Sequence, residues 1–109
     1  MKYLITAILL LVSLTASGAE KKTPCSTEEY RQFDFWVGKW EVFNPKGKKV
    51  GENKIEKILG GCSLQENWRG ASGNIGHSYN ISDRTKKQWH QTWVDNSGTL
   101  LELNGGMEG

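Results

Sequence analysis

The sequence predicts an all-β protein, an antiparallel meander of six short strands behind a short N-terminal helix. Six runs rich in β-branched and aromatic residues begin about 10 to 15 residues apart, and turn-forming clusters separate them. Five tryptophans fall between Trp36 and Trp93, four of them in two pairs at one spacing, Trp36/Trp40 and Trp89/Trp93. Such a cluster marks a packed core or an aromatic-lined cavity. Residues four apart share a face on both a helix and a strand. A meander either closes into a barrel or pairs with another sheet, because exposed strand edges invite association.

Residues 1–19 read as a signal peptide. Lys2 supplies the positive start, Leu4 to Leu14 the apolar run, and Ser17 and Ala19 the small residues of a cleavage site before Glu20. The run is shorter than the roughly 20 apolar residues that a membrane span needs. The expected product is exported, periplasmic or secreted, with no stable membrane span after cleavage. The remaining segment, residues 20–109, is one domain, and on core burial alone a domain of that size is marginally stable. With Lys2 set aside, 13 basic residues face 12 acidic ones. That balance gives no electrostatic case for nucleic acid or for an anionic membrane. Lys46, Lys48 and Lys49 surround a Pro-Gly turn and read as a solvated loop tip.

Two cysteines lie in the exported part, and the simplest arrangement is one disulfide, Cys25–Cys62. Two free thiols or a metal pair are the alternatives. With only two histidines and no C-x-x-C, metal is the weaker one, and no metal or cofactor is expected.

Ser26-Thr27-Glu28-Glu29 resembles a capping box, Ser26 as N-cap and Glu29 three residues on, and predicts a helix from Thr27 to about Phe33. Asp34 reads as a turn or cap residue. The first strand is expected over residues 36–43. Its spacing also suits a helix, but Gly38 is a poor helix interior residue and the composition favours strand. The Asn44-Pro45-Lys46-Gly47 turn follows. The second strand runs from about Val50 to Leu59, ending at Gly60-Gly61, and the third from Cys62 to Trp68. A loop over residues 69–74 leads to the fourth, about Gly76 to Ser82. The fifth, Gln88 to Val94, is bounded by turns at Asp83-Arg84-Thr85-Lys86 and Asp95-Asn96-Ser97-Gly98. The sixth, Thr99 to Asn104, stops at Gly105-Gly106. A barrel with a ligand cavity usually takes about eight strands, and the last residues read as a turn into a seventh. The expectation is therefore a chain truncated at its C-terminus, with a barrel left incomplete.

Gly38-Lys39-Trp40, on a first strand behind a short helix, resembles the Gly-x-Trp signature of lipocalins and related calycins. Phe33-Asp34-Phe35-Trp36-Val37-Gly38-Lys39-Trp40-Glu41-Val42, then Gly60-Gly61-Cys62 with Glu66 and Trp68, then Trp89-His90-Gln91-Thr92-Trp93-Val94-Asp95 with Gly98, resembles a family of secreted bacterial lipocalin-like domains of unknown function. The resemblance runs from about Phe33 to Gly106. It implies a lipocalin-like β-barrel and gives Gly38 and Trp40 structural roles, with Trp40 packing across a closed barrel end. It implies no activity.

The parity of each strand gives the candidate site. Glu66 shares a strand face with Leu64 and Trp68, Asn53 with Ile55, Ser78 with Asn80, and Gln91 with Trp89 and Trp93. If these faces point inward, Asn53, Glu66, Trp68, Ser78, Asn80, Trp89, Gln91 and Trp93 make a few polar groups on an aromatic wall, which suits a small apolar or amphipathic ligand. Trp89/Trp93 is the expected ligand wall and Trp36/Trp40 the expected architecture. A buried carboxylate at Glu66 could hold a polar ligand end, or act as acid or base in a calycin-type enzyme. A third reading is a purely structural domain of the envelope. His90 should face away from Trp89 and Trp93. No nucleophile triad, phosphate-cradling loop or paired-carboxylate motif is visible, so ligand binding is preferred to catalysis.

Overall fold

The computed structural model describes residues 23–107. The predicted signal peptide, residues 1–19, lies outside the described residues. Six antiparallel strands form one sheet: β1 Gly38–Phe43, β2 Lys49–Ile58, β3 Ser63–Gly70, β4 Ile75–Asp83, β5 Gln88–Asp95 and β6 Leu100–Gly105. Each strand neighbours the next in sequence order, as the meander requires. Among the described residues β1 and β6 are the two edges, and the sheet is open.

The turns carry the chemistry expected of them. Asn44 Oδ1 accepts from the Lys46 and Lys48 amides at 3.0 and 2.9 Å. Lys49 leaves that loop to begin β2, and its ammonium bridges Glu52 at 2.7 Å and Glu41 at 3.3 Å. Asp95 Oδ1 accepts from the Ser97 hydroxyl at 2.6 Å and from the Ser97 and Thr99 amides at 2.9 and 3.1 Å. The Ser97 hydroxyl above all, with those amides and the Trp93 indole, holds the Asp95 carboxyl well below the usual carboxylate range. A depressed folded-state value means that the ionised form stabilises the turn. The contribution is whole above the ordinary value, about pH 4, and fades as pH falls further. Asp95→Asn should therefore lower the melting temperature at neutral pH, with the gap to the wild type closing below about pH 4. A gap that stays constant from pH 7 to pH 2 would refute this role.

The N-terminal helix is shorter and tighter than the sequence predicts. A 3-10 turn, Glu28–Arg31, replaces an α-helix, and Ser26 does not cap it: its hydroxyl donates to the Thr23 carbonyl at 2.8 Å. In an α-helix the Glu29 carbonyl would accept from the Phe33 amide. Here it accepts from the Gln32 amide at 3.4 Å and from Trp89 Nε1 at 3.0 Å. A tertiary donor takes the acceptor that would have propagated the helix.

Trp36 also departs from expectation. It closes a second 3-10 turn, Asp34–Trp36, and β1 begins only at Gly38. Gly38 has φ +140°, a conformation that a side chain would strain, and it swings the chain from turn into strand. The Asp34 carboxylate pairs with Lys57 Nζ at 2.6 Å, which fits a turn residue. Trp40 then reaches back, its Nε1 donating to the Trp36 carbonyl at 2.6 Å.

The disulfide Cys25–Cys62 is present. It fastens the N-terminal segment to the chain just before β3. Between that bond and β1 the segment crosses one end of the sheet. There Tyr30 is buried, and Phe33 and Trp36 pack on a core of Ile55, Leu64 and Trp89. Phe33 meets Trp89 edge to face, centroids 4.9 Å apart. No helix among the described residues is long and apolar enough to cross a membrane.

Candidate functional site

The register settles which side chains share a face. Asn53 lies opposite Trp68, Glu66 opposite Ser78, Ser78 opposite Trp93, Asn80 opposite Gln91 and Ser82 opposite Trp89. Directly paired residues point to the same side of a sheet. All eight candidate residues therefore stand on one face, beside Ile55 and Leu64. His77 and His90 stand on the other, as the alternation required. There His77 Nδ1 meets Asn67 Oδ1, and His90 lies between Asn104 and Thr92.

On β4 the usual polarity is inverted. Gly76, Ser78, Asn80 and Ser82 are buried while Ile75, His77, Tyr79 and Ile81 are exposed. Burying hydroxyls and amides in place of available isoleucines costs stability unless each is hydrogen-bonded. Departures from the rule that apolar side chains face inward concentrate at functional positions.

Ser78 and Asn80 join Asn53 and Gln91 in one network around Glu66. Ser78 Oγ donates to Glu66 Oε1 at 2.7 Å, Gln91 Nε2 to the same oxygen at 3.2 Å, and Asn53 Nδ2 to Oε2 at 2.7 Å. Asn80 Nδ2 donates to Ser78 Oγ at 2.8 Å and to the Leu64 carbonyl at 3.1 Å, and Gln91 Nε2 also reaches Ser78 Oγ at 3.2 Å. Glu66 is 9 % exposed. Among the described residues no Lys or Arg pairs with it, and its hydrogen-bond donors are the neutral side chains of Asn53, Ser78 and Gln91. Among the described residues, Asn53 Oδ1 is buried with no partner.

One end of this face opens into a groove of about 400 Å³. Its walls are Phe33, Phe35, Trp36, Leu64, Trp89 and Leu103, and Asn80 and Gln91 also line it. A larger depression of about 1090 Å³ runs between the N-terminal segment and the β4–β5 turn. Exposed Glu29, Arg84 and Lys87 are among its walls, so it has the character of open surface.

Of the eight candidates, Asn80, Trp89 and Gln91 line the groove. Glu66 and Ser78 lie behind the amides, and Asn53 stands beyond Glu66. Trp68 and Trp93 lie elsewhere on the face. The Trp93 ring lies across Gly76, where a Cβ would come within 2.1 Å of it, and the Trp68 ring lies across Gly51, at 2.3 Å. Neither glycine has positive φ. Their role is to give the indoles room to lie flat on the sheet.

The two tryptophan pairs are thus divided differently from the sequence reading. Trp36 and Trp89 shape the groove, while Trp40 and Trp93 do not line it. Sequence reasoning also missed Phe33, Phe35 and Leu103. The dense apolar text Phe33-Asp34-Phe35-Trp36 was the one signal for them, but only the turn at Asp34–Trp36 aims it back at the sheet.

The fold and the site define a small disulfide-bonded all-β protein with an aromatic groove over a buried polar network. Searches of protein-family models, curated proteins and solved structures found no match to this chain.

Proposed function

We propose that this chain is an exported lipocalin-like domain that binds a small apolar or amphipathic ligand in the aromatic groove. The observation that carries the reading is the groove itself. Its volume of about 400 Å³ lies within the range of small-molecule sites, roughly 300–1,000 Å³, and such sites set a few placed polar groups in apolar walls. The apolar body of a ligand would lie among Phe35, Trp36 and Leu103, with its polar end at Asn80 and Gln91.

The disulfide supports export, because such bonds persist in oxidising compartments. The Gly38-Lys39-Trp40 strand entry behind a short helical turn supports the lipocalin-like reading. In a closed barrel β1 and β6 would cease to be edges. The enzymatic alternative draws less support, since Glu66 stands behind Gln91 and does not line the groove.

Trp36 and Trp89 make the groove self-reporting. Native purification followed by mass spectrometry of the extract should yield a bound small molecule. Titration with a panel of lipids and aromatic compounds should shift the tryptophan emission for at least one class. Emission that stays unmoved across the panel, with no extractable ligand, would remove the reading.

A further inference from the structure

The two edges of the sheet differ in how well they are protected. β1 carries exposed Lys39 and Glu41, and its register with β2 shifts between Val42 and Phe43. Charges and bulges are the usual guards of an edge strand against association. β6 has no such shift, and its pairing with β5 runs unbroken from Leu100 to Gly105. Leu100, Leu101 and Leu103 are 62, 48 and 53 % exposed. Glu102 is the one charged residue of the strand.

The hydrogen-bond pattern fixes which backbone groups β6 offers. Directly opposed residues in an antiparallel pair alternate between bonded and unbonded. The Asp95 amide donates to the Thr99 carbonyl at 3.3 Å, in register with the β5–β6 pairing. The Asn96 amide donates to the Ile75 carbonyl at 2.9 Å, in register with the β4–β5 pairing. Both place the β5–β6 bonds at Leu101, Leu103 and Gly105. The N–H and C=O groups of Leu100, Glu102 and Asn104 therefore point out of the sheet.

We propose that β6 pairs antiparallel with the β6 of a second copy of this chain, about a two-fold axis at Leu103. The inference is independent of the ligand proposed above. Directly paired residues share a face, so the axis passes through a residue and not between two. An axis at Glu102 or at Leu103 pairs five residues of each strand, and any other pairs fewer. The axis at Glu102 sets two carboxylates against each other, which is destabilising. The axis at Leu103 sets Glu102 against the partner's Asn104, and all of these residues have their backbone groups turned outward. Among the described residues neither the Glu102 carboxylate nor Asn104 Nδ2 has a hydrogen-bond partner, while Asn104 Oδ1 is engaged by His90. A carboxylate thus meets an amide donor, twice by symmetry.

On the other face Leu103 meets its own copy, and the partner's Leu101 stands beside Gly105. Leu103 and Gly105 line the aromatic groove. Each copy therefore supplies an apolar side chain to the margin of the other's groove. The assembly closes at two copies, because the contact uses both β6 edges and leaves only the guarded β1 edges outside.

Sedimentation equilibrium of the leader-free chain should show a mass that rises with concentration to twice that of the monomer and no further. Glu102→Pro removes an outward N–H, which an edge strand tolerates, and should leave the chain monomeric over the same range. Asn104→Asp sets a carboxylate against Glu102 twice and should weaken the dimer about three- to tenfold. Asn104→Lys should tighten it by a similar factor.

A monomer at every concentration would overturn the inference and leave the binding function standing. A mass that climbs past the dimer would overturn the two-fold pairing. A dimer that survives Glu102→Pro would overturn the assignment to β6. Equal effects of Asn104→Asp and Asn104→Lys would overturn the register at Leu103. If circular dichroism shows that Glu102→Pro does not fold, the opposed charges at Asn104 still decide the matter.

Discussion

Trp89→Ala is expected to cost about 3–5 kcal/mol, the usual loss for removing a large buried aromatic side chain. Trp89 is 7 % exposed and completes the core with Ile55 and Leu64. Its indole does a second job, because Nε1 donates to the Glu29 carbonyl and to Gln32 Oε1 at 3.0 and 3.2 Å. The substitution therefore opens a cavity and releases the segment that forms one wall of the groove. Small domains have a total stability of only about 5–15 kcal/mol, so the variant should be near its unfolding limit at room temperature. Trp89→Phe separates the two roles. It keeps most of the packing and loses both hydrogen bonds, for a loss of about 1–2 kcal/mol. Urea unfolding followed by circular dichroism measures both. A Trp89→Ala loss under about 1 kcal/mol would show that the core does not depend on this ring.

Removing the disulfide, by reduction or as Cys25→Ser with Cys62→Ser, should cost nearly as much. The bond spans a sequence separation of 37, and loop closure of that length is worth about 4 kcal/mol on the chain-entropy model. For a domain of this size that corresponds to a fall in melting temperature of about 15 to 30 °C. The effect should extend to the groove, because Phe33, Phe35 and Trp36 lie on the segment that the bond retains. Calorimetry with and without reductant reads the first effect, and ligand titration the second. An unchanged melting temperature under full reduction would refute the assignment. The Trp89 and disulfide losses should not add, since both anchors hold one segment and the second is weakened once the first is gone.

Much of the sheet is legible in the amino-acid sequence. Each strand falls within about two residues of its expected bounds, because alternation and turn chemistry are local properties of the chain. The pairing of Cys25 with Cys62 follows from the chain having two cysteines. The common face of Asn53, Glu66, Trp68, Ser78, Asn80, Trp89, Gln91 and Trp93 follows from parity, since a strand has only two faces and the meander fixes its neighbours. The N-terminal helix is not legible in the same way. A capping box is a local signal, whereas the Glu29 carbonyl is claimed by an indole 60 residues away. The division of the tryptophans escapes the sequence for a related reason. Equal spacing says nothing about where a ring leans, and that is set by the empty space over Gly51 and Gly76.

By itself the sequence determined the all-β meander, its strand order, the disulfide partners and the face on which the polar candidates stand. All of these depend on short-range periodicity or on simple counting. Only the tertiary structure decided that Trp36 leaves the strand to wall a groove, that Glu66 stands behind Gln91, and that the Asn80 and Gln91 amides reach that groove while Asn53 does not. Those outcomes depend on which donor meets which acceptor across strands, and composition and spacing carry no information about direction.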